Sequence, residues 1–68
     1  MMNSNQMADA AKKDAQTGKY WGLCVVGNIQ AKFSPVLQGG TVSKDKGRIN
    51  WTIDGKRATL QQVQSIIG

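Results

Sequence analysis

Arg48-Ile-Asn-Trp-Thr-Ile-Asp-Gly-Lys-Arg-Ala-Thr-Leu-Gln-Gln-Val-Gln-Ser-Ile-Ile-Gly68 is the stretch whose reading decides the fold. Ile49, Trp51 and Ile53 alternate with Arg48, Asn50, Thr52 and Asp54, the period-two pattern of a strand with one dry and one wet face. Asp54-Gly55 is a turn dipeptide, because Asp tolerates and Gly favours the positive φ of a tight hairpin. Thr59 followed three residues later by Gln62 makes a capping box. It opens a short helix carrying Leu60, Val63, Ile66 and Ile67. The segment therefore reads as strand, turn, brief return strand and helix.

Working upstream, residues 20–33 show a long alternation. Trp21, Leu23, Val25, Ile29, Ala31 and Phe33 fall on one side, and Tyr20, Cys24, Val26, Asn28, Gln30 and Lys32 on the other. The phase survives Gly27, which favours a single strand bent at a glycine bulge. The alternative is a Gly27-Asn28 turn between two short strands. Ser34-Pro35 interrupts the pattern, Val36 to Ser43 resumes it weakly around Gly39-Gly40, and Lys44-Asp45-Lys46-Gly47 reads as a charged turn.

Residues 1–18 read as a helix that Asn3, Ser4 or Asn5 caps and Gly18 ends. Met7, Ala11 and Ala15 give it a thin apolar stripe. A helix this short is marginal alone, so it docks on the sheet or orders on a partner. The expected architecture is α+β: a small three-stranded antiparallel β-meander with a short N-terminal helix and a short C-terminal helix. It forms one domain over residues 1–68, with 1–18 as a helical arm.

A chain of 68 residues has room for one modest core, which makes a homodimer one of the expected assemblies. Nine Lys and Arg face four Asp, with no His, for a net charge of +5. Lys12 and Lys13 cancel Asp9 and Asp14, so the excess belongs to residues 19–68. A balance of this kind favours acidic partners. Cys24 is the single cysteine, which excludes an intrachain disulfide, and its apolar setting reads as an inert thiol. With no leader and no apolar run near the length of a membrane span, the expectation is a cytoplasmic protein without membrane partners. Asn50-Trp51-Thr52 matches a glycosylation sequon, and without a secretion signal it reads as a chance match.

Catalytic readings find little to stand on. Without His the common nucleophile–base pairs are missing, and no pattern brings two aspartates together. One Cys with scattered Asp is no metal cluster, so neither metal nor cofactor is expected. Gly22-Leu-Cys-Val-Val-Gly27 has the glycine spacing of a phosphate loop, but Asn28-Ile29 follows where Lys and Ser or Thr belong.

Binding chemistry is better represented. Lys32, Lys44, Lys46, Arg48, Lys56 and Arg57 are the candidate cations. The strand between Arg48 and Asp54 separates Lys44, Lys46 and Arg48 from Lys56 and Arg57 by roughly 20 Å. Tyr20, Asn28, Gln30 and Asn50, with Gln38 and Thr52, form a candidate polar face. The plain structural alternative is solvated turns, with Trp21, Phe33 and Trp51 as core.

The expected function is a non-enzymatic binder acting stoichiometrically on a larger protein or nucleoprotein with an acidic surface. Direct contact with DNA or RNA phosphates ranks second. Third comes an oligomeric sponge for a small anionic nucleotide, held by Gly39-Gly40-Thr41 amides. In scale and plainness the chain is similar to small accessory proteins of viruses and mobile elements, some of which act as inhibitors.

Overall fold

Three two-residue turns shape the sheet, and each has the backbone its residues favour. Gly27 takes φ 59° and is alone in positive φ within Gly27-Asn28, as in a type II′ turn. Gly39 and Gly40 (57° and 82°), and Asp54 and Gly55 (54° and 77°), take positive φ in pairs, as in type I′ turns. The computed structural model describes residues 2–17 and 20–68, with Gln38, Val42, Lys44 and Asp45 described by their backbone alone.

In chain order the elements are α1 (Ser4–Ala15), β1 (Gly22–Val26), β2 (Ile29–Gln38), β3 (Thr41–Ile53), β4 (Lys56–Ala58) and α2 (Leu60–Ile67). The strands form one antiparallel sheet in the order β1-β2-β3-β4. The α+β class is as expected. The sheet has four strands rather than three, because Gly27-Asn28 reverses the chain instead of bending it.

That reversal changes which residues face the core. A two-residue turn sets Val26 opposite Ile29 and Cys24 opposite Ala31. Odd-numbered residues before the turn therefore share a face with even-numbered residues after it. Cys24 and Val26 pack on the core side with Ile29, Ala31 and Phe33. Leu23 and Val25, expected inside, face outward with Lys32 and Gln30. Trp21, also expected in the core, is 45% exposed.

Both helices lie on the core face. Ser4, Met7, Ala11 and Ala15 of α1 are buried at helical spacing, and α2 adds Val63. They close over Ile29, Ala31, Phe33 and Trp51. The N-terminal helix thus docks on the sheet, the first of its two expected positions. Asn3 caps α1 in a capping box with Gln6, and Thr59 caps α2 in one with Gln62, as its sequence predicts. The helix α1 closes on Gln16 as its C-cap, and Gly18 lies outside the described residues. In α2 the inward stripe is Val63 with partly buried Ile67, while Leu60 and Ile66 remain exposed. The Ser4 amide and hydroxyl both donate to the Gly68 main-chain oxygen, each at 2.8 Å, and tie the helices together.

Small residues bring α1 close to the sheet. A Cβ built on Gly22 would fall on the Ala11 carbonyl oxygen and against the Ala15 amide nitrogen. The Asp14 carboxylate reaches over the edge and accepts the Leu23 N–H at 3.0 Å.

Beyond Phe33 and Arg48, β2 and β3 pair only with each other and extend as an arm ending at Gly39-Gly40. The chain measures 37 × 19 × 17 Å along its principal axes. The expected Lys44–Gly47 turn is instead a bulge within β3. Pro35 pairs with Gly47 and Leu37 with Val42, so four residues face one. The Ser43 hydroxyl accepts the Lys46 N–H at 3.1 Å inside it. Among the described residues no helix is long and apolar enough to cross a membrane.

Gly22→Ala should destabilise the fold by about 2 kcal/mol or more, since backbone rather than a movable side chain meets the added methyl. Thr59→Ala should cost about 1 kcal/mol through loss of the α2 cap. Urea unfolding followed by circular dichroism checks both; a Gly22→Ala midpoint equal to wild type would refute the close approach of α1.

Candidate binding face

With both helices on one side, no element among the described residues covers the other side of the sheet, and strand register assigns its residues. Val25, Gln30, Thr52 and Arg57 form one row across the four strands. Leu23, Lys32 and Asn50 form the next, and Ser34 pairs with Arg48 beyond it. Adjacent strands are about 4.8 Å apart and alternate residues about 6.7 Å apart, which puts the Lys32, Arg48 and Arg57 Cα atoms at roughly 8–14 Å separations. None of these outward positions is acidic. The face therefore carries three positive charges within reach of a single bound surface.

Chemistry is not uniform across it. Leu23 and Val25 make the β1 side apolar, and Val25 is 57% exposed. Trp21, just before the strand, stands beside them. The Lys32 ammonium lies 5.1 Å from the centroid of the Trp21 ring, a cation–π contact that holds the indole against the sheet. Moving toward β4, the outward residues become Gln30, Asn50 and Thr52, with Arg48 and Arg57.

Most of the sequence-derived polar face assembles here: Gln30, Asn50, Thr52, Lys32 and Arg48 lie together as expected. Tyr20 is 81% exposed at a bend before β1 rather than within the sheet. Asn28 lies in the first turn, where its side-chain amide donates to the Asp54 carboxylate at 2.9 Å. Its carbonyl accepts the Asp54 N–H at 2.9 Å. It is occupied in joining two turns.

The expected Lys56/Arg57 group is divided. Arg57 pairs with Thr52 on the open face, whereas Lys56 pairs with Ile53 on the helix side. Lys46 is exposed on the arm, and the Lys44 side chain lies outside the described residues. Gly39-Gly40-Thr41 forms the tip of the arm, and among the described residues nothing lies within 4 Å of a Cβ built on either glycine.

Sequence reasoning put Trp21, Leu23 and Val25 on the core side and Cys24 and Val26 on the outer side, and the structure reverses both groups. The signal that would have found them is Gly27-Asn28 read as a two-residue turn, since that reading alone inverts the facing of everything before it.

Elsewhere, burial pushes the Cys24 thiol above its ordinary pKa range, keeping it a neutral thiol at physiological pH. No group of three or more His, Cys, Asp or Glu is placed to hold a metal among the described residues. A depression of ≈ 330 Å³ lined by Met2, Gln6, Asp9, Ala10 and Lys13 lies on α1, away from the open face. No family model, curated protein or solved structure matches this chain.

The division between core and exposed aromatics is measurable. Trp21→Ala and Val25→Ser should each shift stability by less than about 1 kcal/mol. Trp51→Ala, at a residue only 6% exposed, should cost about 3–5 kcal/mol. Equal losses at Trp21 and Trp51 in thermal melts would return Trp21 to the core.

Proposed function

We propose that this chain is a non-enzymatic binding protein that acts stoichiometrically, laying its open sheet face against an acidic surface of a larger protein or nucleoprotein and so blocking or modulating it. The observation that carries this reading is the uncovered face itself. An exposed Trp and Val lie beside Lys32, Arg48 and Arg57, with no carboxylate among the outward positions. Protein interfaces favour a centre built on aromatic and Arg anchors within a polar surround. The cations steer an acidic partner inward, and the apolar side holds it.

Direct base reading suits this face less well. Sheet-type RNA binders stack bases on two or three aromatics of their strands. Here the outward positions of β2 and β3 hold Gln30, Lys32, Asn50 and Thr52, and Lys32 covers one face of the edge indole. The arm supports a second reading, contact with nucleic-acid phosphates. A two-stranded ribbon fits a DNA major groove, and this one carries Lys46 with Arg48 at its base.

Immobilised full-length chain in a lysate of the source cells separates the two. The expected result is a near-equimolar protein partner that survives nuclease, remains with Lys13→Glu and is lost with Lys32→Glu/Arg48→Glu. Recovery unchanged by the double substitution would refute docking on this face. Loss on nuclease treatment, with labelled random DNA or RNA bound above about 150 mM salt and weakened by Lys46→Ala, would establish the phosphate-contact reading instead.

A further inference from the structure

The outward side of β1 has a geometry that narrows the class of partner. Leu23 and Val25 lie one two-residue step of about 6.7 Å apart on the strand, and Trp21, at the bend just before it, has its ring held beside Lys32. Successive apolar residues four apart on an α-helix are spaced by about 6.0 Å. The two spacings nearly match. A helix about 10 Å across also spans two strand spacings. Lying along β1, it would set its apolar stripe over these three residues and its flank over Lys32 and Arg48.

We infer that the open face seats an acidic amphipathic α-helix of the partner along β1, its apolar stripe on Trp21, Leu23 and Val25 and its carboxylates at Lys32 and Arg48. The inference rests on the docking function above and names the element that docks. An added β-strand fits this edge poorly, because the Asp14 carboxylate already takes the Leu23 N–H that such a strand would need. A second copy of the chain is disfavoured by charge. Its own open face is equally cationic, and its α2, Leu60–Ile67, contains no charged residue to answer Lys32. The helix α1 has its apolar stripe in its own core.

The test uses full-length protein and an 18-residue synthetic peptide with Leu on one helical face and Glu along its flanks. Two controls are a peptide with Lys replacing every Glu and a scrambled peptide of the same composition. The readouts are tryptophan emission, with buried Trp51 as constant background, and peptide helicity by circular dichroism. The expected result is saturable one-to-one binding with a blue shift that Trp21→Phe abolishes and a gain in helicity. The lysine and scrambled peptides should bind at least tenfold more weakly, and Val25→Glu should lose tenfold without lowering the melting point.

Equal binding of the acidic and scrambled peptides, or indifference to Val25→Glu, would overturn the helix seat. If Lys32→Glu/Arg48→Glu still abolishes recovery of the natural partner, the docking face stands and only its occupant is misassigned. If that recovery is also unaffected, the docking reading fails with it. Sedimentation showing a dimer that Val25→Glu dissociates would make a second copy the occupant and overturn the proposal.

Discussion

The close approach of α1 to β1 at Gly22 is the constraint on which the rest of this structure depends. Only a residue without a Cβ lets the Ala11 and Ala15 backbone lie against the strand. That contact puts Met7, Ala11 and Ala15 over the sheet and brings Asp14 within reach of the Leu23 N–H. With α2 placing Val63 on the same side, both helices are committed to one face. The opposite face is left open by the same geometry that builds the core.

A chain of this size has few apolar side chains to distribute, and where they go is informative. The core uses alanines and glycines to gain contact by proximity rather than by bulk: Ala11 and Ala31 are fully buried, and the Phe33 ring lies across Gly47, where a Cβ would come within 2.7 Å of it. A glycine covered by a ring on a neighbouring strand regains some of the packing it lacks. Meanwhile Trp21 and Val25 remain in water. Exposed apolar groups beside cations are the features of the open face on which the proposed docking rests.

The arm extends the same surface. Register places Arg48 on the open face at the arm's base, and the bulge opposite Val36 adds Lys46 in a stretch with no further strand on either side. Pro35, which has no N–H, stands at the start of the arm on β2 and blunts that edge against pairing with another chain. The four open strands span roughly 15 Å across.

Local chemistry was legible in the residues. Asp54-Gly55 set a turn through positive φ, Thr59 with Gln62 capped α2, and the Ile49-Trp51-Ile53 alternation marked the dry side of β3. Each depends on neighbours within four residues. The gathering of Gln30, Asn50, Thr52, Lys32 and Arg48 on one face followed from alternation alone. What tertiary structure decided was parity and pairing. Period-two alternation reads the same through a bend or a two-residue turn, so whether Val25 faces core or water depended on Gly27-Asn28 reversing the chain. The reach of the arm and the division of Lys56 from Arg57 likewise arise from cross-strand register. Register is a relation between residues distant in sequence, and it is settled by which face the helices cover.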